Sequence, residues 1–286
     1  MGVLNNIIAA VDSSAMAEEV LKRAIALAKE EDAQVTVLHC IDIPLFEKLF
    51  GETYDEESVR KKIEEKVIRL NADAKVDNFV TVTRGNPADA IVYEAGRLQS
   101  DLIVIGAHGK ESLKDTFFGS TVQNVVQKSH LPVLIIRQPY RGGYQNILAL
   151  TDLSEASEKS IRFAKGLFAH TAIGLAYAYA QISDLVVNFY NLQAEKAAYR
   201  KKISTIAKQD AEKFQKTVGI EDFEIIESFS SISEALLETA KRRNSDLVIL
   251  GSHGVKVSDT VRYASTASFL MKAVPSDVLI YVPLEK

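Results

Sequence analysis

The fold is decided by the stretch Ser100-Asp101-Leu102-Ile103-Val104-Ile105-Gly106-Ala107-His108-Gly109, because the chain contains it twice. It returns as Ser245-Asp246-Leu247-Val248-Ile249-Leu250-Gly251-Ser252-His253-Gly254. In both places four branched apolar residues run up to a glycine, which is typical of a strand buried on both faces and followed by a tight loop. A long match at a wide separation predicts two copies of one domain.

Two further matches occur in the same order along the chain. Asn6-Ile7-Ile8-Ala9-Ala10-Val11-Asp12 matches Asn146-Ile147-Leu148-Ala149-Leu150-Thr151-Asp152, and Pro132–Ile136 matches Asp277–Tyr281. A proline and two glycines within 138–144 mark a short connector, so we place the boundary near Gly143. The predicted domains are therefore 1–143 and 144–286.

Each copy alternates apolar strands with helical segments, which predicts an α/β fold with a doubly wound parallel sheet. In the first copy we expect strands near 4–11, 34–41, 78–84, 101–106 and 132–137, and helices near 15–30, 55–70, 87–99 and 119–129. In the second copy, 186–218 is expected to form one longer helix. Sheets of this kind bind ligands beyond the carboxyl ends of their strands, where Asp12, Cys40, Gly106 and Gly109 are expected.

The loop Gly106-Ala107-His108-Gly109 is followed, after nine further residues, by Gly119-Ser120-Thr121 at the start of a helix. One interpretation is a phosphate cradle, since glycines allow close backbone approach and a helix N-terminus attracts anions. The alternative is an ordinary tight turn followed by a helix cap. Both halves together favour the phosphate interpretation. The spacing fits neither a Walker A loop nor G-x-G-x-x-G.

The pattern Gly-x2-Gly-x9-Gly-Ser, with the aspartate that ends the first strand and with Gly85-x-Pro87, resembles the universal stress protein family across both copies. The resemblance implies a Rossmann-like fold of the adenine nucleotide alpha hydrolase type, and binding of ATP or AMP, often with Mg2+ or Mn2+. It implies that Asp12 lies beside the adenine and ribose and Cys40 against the adenine. The implied binding set is Ala10, Asp12, Cys40, Gly106, His108, Gly109, Gly119, Ser120 and Thr121.

The second copy departs from this pattern at several positions. It has Ala264-Ser265-Thr266 in place of Gly119-Ser120-Thr121, Ser230-Ser231-Ile232 in place of Gly85-Asn86-Pro87, and Val255 in place of Lys110. If the first position needs a positive φ, alanine there adds strain of about 1–2 kcal/mol. Two interpretations stay open: a copy kept for structure and pairing, or a pocket that takes a different ligand.

Bulk composition excludes several classes of function. A net charge of −4 argues against sequence-independent binding of nucleic acid. One cysteine excludes an internal disulfide framework, and no apolar run is long enough to cross a bilayer. The N-terminus is expected to be a strand, so we expect a cytoplasmic protein. The histidines show no metal-ligand spacing, and His39 and Cys40 point to opposite faces of one strand.

The last strand of each copy would be an exposed apolar edge in an isolated domain. In the resembled family this strand commonly forms dimer contacts. We therefore expect the two copies to pair there as an internal dimer about a pseudo-two-fold axis, with a further homodimer left open. For the apolar connecting segment 43–50, three roles stay open: it covers the pocket mouth, it meets a partner, or it packs as an ordinary loop.

Three functions compete at this point. The leading hypothesis is a regulatory or stress-response protein that holds ATP or AMP in the first copy. The second is an enzyme, a slow ATPase or nucleotidyl-type transferase, for which His108 is the one nominee; no general base, arginine finger or Walker B partner is recognisable. The third is an interaction scaffold in which the second copy binds a different ligand or a partner protein.

Overall fold

The computed structural model describes residues 3–42, 55–107, 118–251 and 265–281. Contacts divide the chain into two compact units, residues 1–143 with 277–286 and residues 144–276. The last ten residues belong to the second repeat in sequence but group with the first unit. Within the described ranges, no helix is both long and apolar enough to span a membrane.

The first unit is a parallel α/β layer with one added strand. Its strand order is β3-β2-β1-β4-β5-β10, and the first five strands are parallel. The elements are β1 Asn6–Val11, α1 Met16–Glu31, β2 Gln34–Ile41, α2 Glu56–Asn71, β3 Asn78–Arg84, α3 Pro87–Arg97, β4 Leu102–Gly106, α4 Ser120–Lys128, β5 Val133–Ile136 and β10 Asp277–Tyr281. The predicted fold class and strands are confirmed.

The second unit repeats the layer with the order β9-β6-β7-β8, all parallel. Its elements are β6 Ile147–Thr151, α5 Glu155–Leu167, β7 Ile173–Ala180, α6 Asp184–Phe189, α7 Lys196–Val218, β8 Phe223–Ser228, α8 Ile232–Arg242, β9 Leu247–Gly251 and α9 Ser265–Ala273. The single helix expected over 186–218 is wrong, since the chain leaves the helix between Phe189 and Lys196. A cap at Ser183 starts the shorter helix earlier than the sequence suggests.

Burial of the central strands explains their continuous apolar sequences. Every residue of β1, β5 and β6 is buried, because helices cover both faces of the sheet. The edge strand β3 is partly exposed and correspondingly alternates polar and apolar residues. Helix α3 begins at Pro87 because Asn86 accepts hydrogen bonds from the Ala88 and Asp89 amides at 3.0 and 3.2 Å.

The repeated Ser-Asp pair has a structural role at the amino ends of the strands. Asp101 accepts hydrogen bonds from the Asn5 and Asn6 amides at 2.7 and 3.0 Å. Asp246 does the same for the Gln145 and Asn146 amides, at 2.7 and 3.0 Å. In the repeated motif, the aspartate therefore has a structural role, and only the residues from Gly106 or Gly251 onward are candidates for ligand binding.

The last strand of the chain pairs with the last strand of the first repeat, as expected. β10 runs antiparallel to β5, with Val278 opposite Ile135 and Leu279 opposite Leu134. Fully buried Asp277 accepts hydrogen bonds from the Arg137 and Gln138 amides at 2.7 and 3.0 Å and lies 3.7 Å from Arg23. A pseudo-two-fold arrangement of the two repeats stays a prediction.

Candidate functional site

The carboxyl end of β1 is the natural ligand edge of the first unit. β1 lies between β2 and β4, so the chain winds one way from β1 to β2 and the other way from β3 to β4. Loops leaving β1 and β4 therefore diverge, which opens a crevice at this point. Register places Ala10 between Leu38 of β2 and Ile105 of β4. Four residues of the implied binding set, Ala10, Asp12, Cys40 and Gly106, end the three strands at this edge.

Asp12 shapes the start of the crevice through a turn that the sequence analysis did not single out. Its Oδ1 atom accepts the Ser14 amide at 2.9 Å and the Ser14 hydroxyl at 2.5 Å. Asp152 likewise accepts the Ser154 amide at 3.0 Å. The recurrence of Asp-x-Ser in both copies is the signal that could have identified this turn.

Gly106 permits a close approach between β4 and α1. A Cβ atom on Gly106 would lie 2.8 Å from Cγ of Met16, which is inside any normal contact distance. Positive φ among the described glycines occurs only at Gly85, Gly142 and Gly219, so Gly106 is not selected for a left-handed backbone. The glycine keeps the end of β4 tight against the first turn of α1.

The N-terminus of α4 offers backbone donors to an anion. Gly119 is its N-cap, and the Gly119 amide donates to the Ala107 carbonyl at 3.0 Å, which fixes the helix start to the end of β4. Ser120 and Thr121 follow as the first helical residues. Within the described residues, no side chain caps this helix, and its first turn contains no acidic residue. Unbonded amides at a helix start are an anion-binding arrangement.

The conditional expectation of a positive φ at Gly119 is wrong. Gly119 has φ −64° and ψ 140°, an extended conformation open to any residue. A Cβ atom there would lie 3.4 Å from the Ala107 carbonyl oxygen, an ordinary contact. Strain in the backbone therefore does not explain the glycine.

Capping distinguishes the helices at the crevice from their neighbours. In the first unit, α2 and α3 are capped by Asp55 and Asn86, whereas α1 and α4, which follow β1 and β4, have no side-chain cap. Helix α1 carries Glu18 and Glu19 in its first turn, which oppose an anion. The anion-favouring helix start is therefore that of α4.

Cys40 is a neutral wall of the crevice. Its Sγ donates to the Gly85 carbonyl at 3.4 Å, and burial, with a smaller effect from the Asp42 charge, raises the pKa of the thiol to about 11. A thiolate is thus disfavoured, which argues against a redox role. His39 points the other way, with Nδ1 2.8 Å from the Val11 carbonyl oxygen, as the alternation of a strand requires.

Several predicted positions lie outside the described residues. These are the binding-set members His108 and Gly109, together with Lys110, Ser252, His253, Gly254, Val255, Ala264 and the segment 43–50. Their assigned roles stay predictions.

The corresponding edge of the second unit is arranged differently. Asp152 Oδ1 accepts the Ser157 hydroxyl at 2.7 Å in addition to the Ser154 amide, and Ser154 accepts the Ser157 amide at 3.2 Å. Helix α5 is therefore capped by Ser154. A Cβ atom on Gly251 would lie 2.6 Å from the Ser157 backbone. The polar groups that begin this helix bond to each other.

Protein ligands for a metal ion are few in the part of the chain that the structure describes. It contains no group of three or more His, Cys, Asp or Glu side chains able to hold a metal.

Fold and edge together define a parallel α/β protein with a crevice at the switch point of its first unit. The family model of the Universal stress protein family matches residues 4–137 and again 143–282, so the chain belongs to this family as a tandem member.

The chain is similar to individual proteins of known sequence or structure. Universal stress protein MJ0531 of Methanocaldococcus jannaschii is 31% identical over 141 residues, which cover 46% of this chain and 82% of the relative. The solved structure of the functionally unknown protein PA1789 from Pseudomonas aeruginosa shares the fold, with TM-score 0.70, 15% identity and coverage of 98% and 93% of the two chains. A universal stress protein from Archaeoglobus fulgidus, solved in complex with dAMP, is 26% identical, covering 48% of this chain and 99% of its own, with TM-score 0.37.

Proposed function

We propose that the chain binds an adenine nucleotide, ATP or AMP, at the carboxyl edge of the first repeat and serves a regulatory, cytoplasmic role in stress response. The observation that carries the proposal is the start of α4. Its amides lack a side-chain cap, its first turn lacks acidic residues, and the Gly119 amide fixes it to the end of β4 at the switch point. Family membership supports the regulatory role.

The residues divide between the two ends of the nucleotide. The amides and hydroxyls of Ser120 and Thr121 would bind phosphate oxygens, with His108 and Gly109 wrapping the phosphates as the resemblance implies. Ala10, Asp12 and the neutral thiol of Cys40 would contact the adenosine. A divalent cation would be carried in on the phosphates.

The second repeat is proposed to lack an adenine-nucleotide site of this kind. In the second repeat, Ser157 bonds to Asp152 and to the Ser154 cap of α5, whereas the first repeat has Ala17 in place of Ser157. Removing those bonds would cost binding energy before any contact with a ligand formed.

The direct test is stoichiometry. The purified full chain is denatured, released nucleotide is identified, and the nucleotide-free protein is titrated with ATP, AMP and dAMP by calorimetry. One site per chain is expected. Two sites per chain would contradict the assignment of the second repeat, and none would contradict the proposal.

A glycine pair makes the test specific to the site. Gly119→Ala is expected to weaken ATP binding at least about tenfold, or 1.4 kcal/mol, by placing a methyl group at the phosphate position. The backbone at Gly119 tolerates alanine, so folding should be intact. Gly96→Ala is the matched control, because Gly96 lies within α3 and a Cβ there meets nothing within 4 Å. If the two variants bind ATP with equal affinity, Gly119 does not lie against the phosphates.

A further inference from the structure

A groove runs between strand β8 and helix α8 on the outer side of the second unit. It has a volume of about 570 Å³. One wall is the strand and the residues that follow it, and the other is the helix. Its lining residues are Glu224, Ile226, Glu227, Ser228, Phe229, Ser230, Ser231, Glu234, Ala235, Glu238, Thr239 and Arg242.

The strand wall of this groove is an open sheet edge. β8 ends the strand order of the unit, with β7 on its inner side. The carbonyls of Asp222 and Ser228 accept bonds from Leu175 and Gln181 on the inner side. Since a parallel strand alternates the direction of its backbone groups, those of the intervening odd-numbered residues, Phe223, Ile225 and Glu227, face outward. An extended chain could bond to them as a further strand.

The helix wall carries negative charge that is not neutralised locally. Among the described residues, Glu234 and Glu238 are in no ion pair, and Glu238 lies one helical turn beyond Glu234. Glu224 is already paired with Arg242. Ile226 adds apolar surface to the groove, while Phe229, which is 48% exposed, carries the Arg200 guanidinium 4.8 Å from its ring centroid. The groove therefore combines strand backbone, apolar surface and two exposed carboxylates.

The matching edge of the first repeat has a different charge pattern. Counting from the caps Asn86 and Ser231, the counterpart of Glu234 is Asp89, which is paired with Lys128, and the counterpart of Glu238 is Tyr93. By strand register, Arg84 stands where the second repeat has Glu227. The acidic groove is thus a feature of the second repeat and not of the shared fold.

We propose that this groove binds an extended basic segment of a partner protein. The segment adds to β8 as a strand, and its lysine or arginine side chains project on the face covered by α8, where they pair with Glu234 and Glu238. The same acidic residues repel the identical edge of another copy, so the edge selects a basic strand over self-association. The proposal does not depend on nucleotide binding.

The first experiment tests the charge. A ten-residue peptide that alternates lysine and valine is titrated into the full chain, with a glutamate–valine peptide as the control. We expect the basic peptide to bind and the acidic one not to. The double substitution E234Q/E238Q should weaken binding about three- to tenfold, the range for two exposed ion pairs. The charge-matched control E212Q/E221Q, at exposed sites outside the groove, should leave binding unchanged. Equal loss in both double variants would overturn the proposal, as would failure of the basic peptide to bind.

The second experiment tests the strand pairing with charge held constant. Two forms of the lysine–valine peptide are N-methylated, one at the lysines and the other at the valines, so each loses the amide donors along one edge of the strand. Strand addition requires that one form bind and that the other lose most of its affinity. Equal affinity of the two forms would show that the groove does not add a strand.

Discussion

At the end of β1, Asp12 is bonded to Ser14 and helix α1 starts without a side-chain cap, whereas at the end of β6, Asp152 is bonded to both Ser154 and Ser157 and helix α5 is capped. The two edges share strands, aspartate and glycine. Part of the difference comes from one buried position, because Ser157 donates its hydroxyl to Asp152 where the first repeat has Ala17. The edge after the first strand of each repeat has therefore changed its polar bonding without a change of fold.

The glycines that end β4 and β9 offer the sharpest way to test this comparison. Gly251→Ala is expected to destabilise the protein by about 3 kcal/mol, since the new methyl group meets the Ser157 backbone, which cannot move alone. Gly106→Ala should cost about 1 kcal/mol, because the obstacle is the flexible Met16 side chain. Urea denaturation of both variants measures the difference. Equal costs would mean that α5 is no closer to its strand than α1.

Exchanging Ala17 of α1 and Ser157 of α5 for each other's residue type should have a smaller effect on stability. Ser157→Ala removes the 2.7 Å bond to Asp152 and should raise amide hydrogen exchange in the first turn of α5, with a loss of about 1–2 kcal/mol. The reverse change, Ala17→Ser, supplies a hydroxyl beside Asp12 and should reduce ATP affinity in the first repeat. If Ala17→Ser binds ATP as well as the parent chain, local satisfaction of the aspartate is not what separates the two edges.

The smallest expected effect concerns Cys40, whose counterpart by strand register in the second repeat is Ala178. Because folding raises the thiol pKa from 9.0 to about 11, the folded state holds this proton more tightly than the unfolded state. The contribution of the neutral thiol to the free energy of unfolding is complete below pH 9 and is lost as the pH rises towards 11. Cys40→Ala should therefore flatten the decline in stability across that window, as measured by urea midpoints. A parallel decline in both proteins would assign the alkaline loss to other groups.

Much of the fold could be predicted from the sequence, because the buried strands are continuous apolar runs and the duplication identifies them twice. The carboxyl edge followed from strand order alone. The bond between Ser14 and Asp12 is also predictable, since Asp-x-Ser recurs in both repeats.

Other features depend on tertiary contacts that a linear pattern does not show. The backbone of Gly119 is extended. The break between Phe189 and Lys196 divides a segment whose composition favours a helix throughout. The groove of the second repeat needed three-dimensional placement, because Glu234 and Glu238 lie on a helix while the open edge belongs to a preceding strand.

The pairing of β10 with β5 has a consequence for biosynthesis. A ribosome that adds about 5–20 residues per second completes β5 long before it reaches Asp277, so the outer edge of β5 waits roughly seven to thirty seconds for its partner strand. During that interval the amides of Arg137 and Gln138 lack the Asp277 carboxylate that later accepts their hydrogen bonds. The nascent first repeat therefore emerges with an apolar edge exposed, and it is in this period, before the chain is released, that a chaperone would have most to protect.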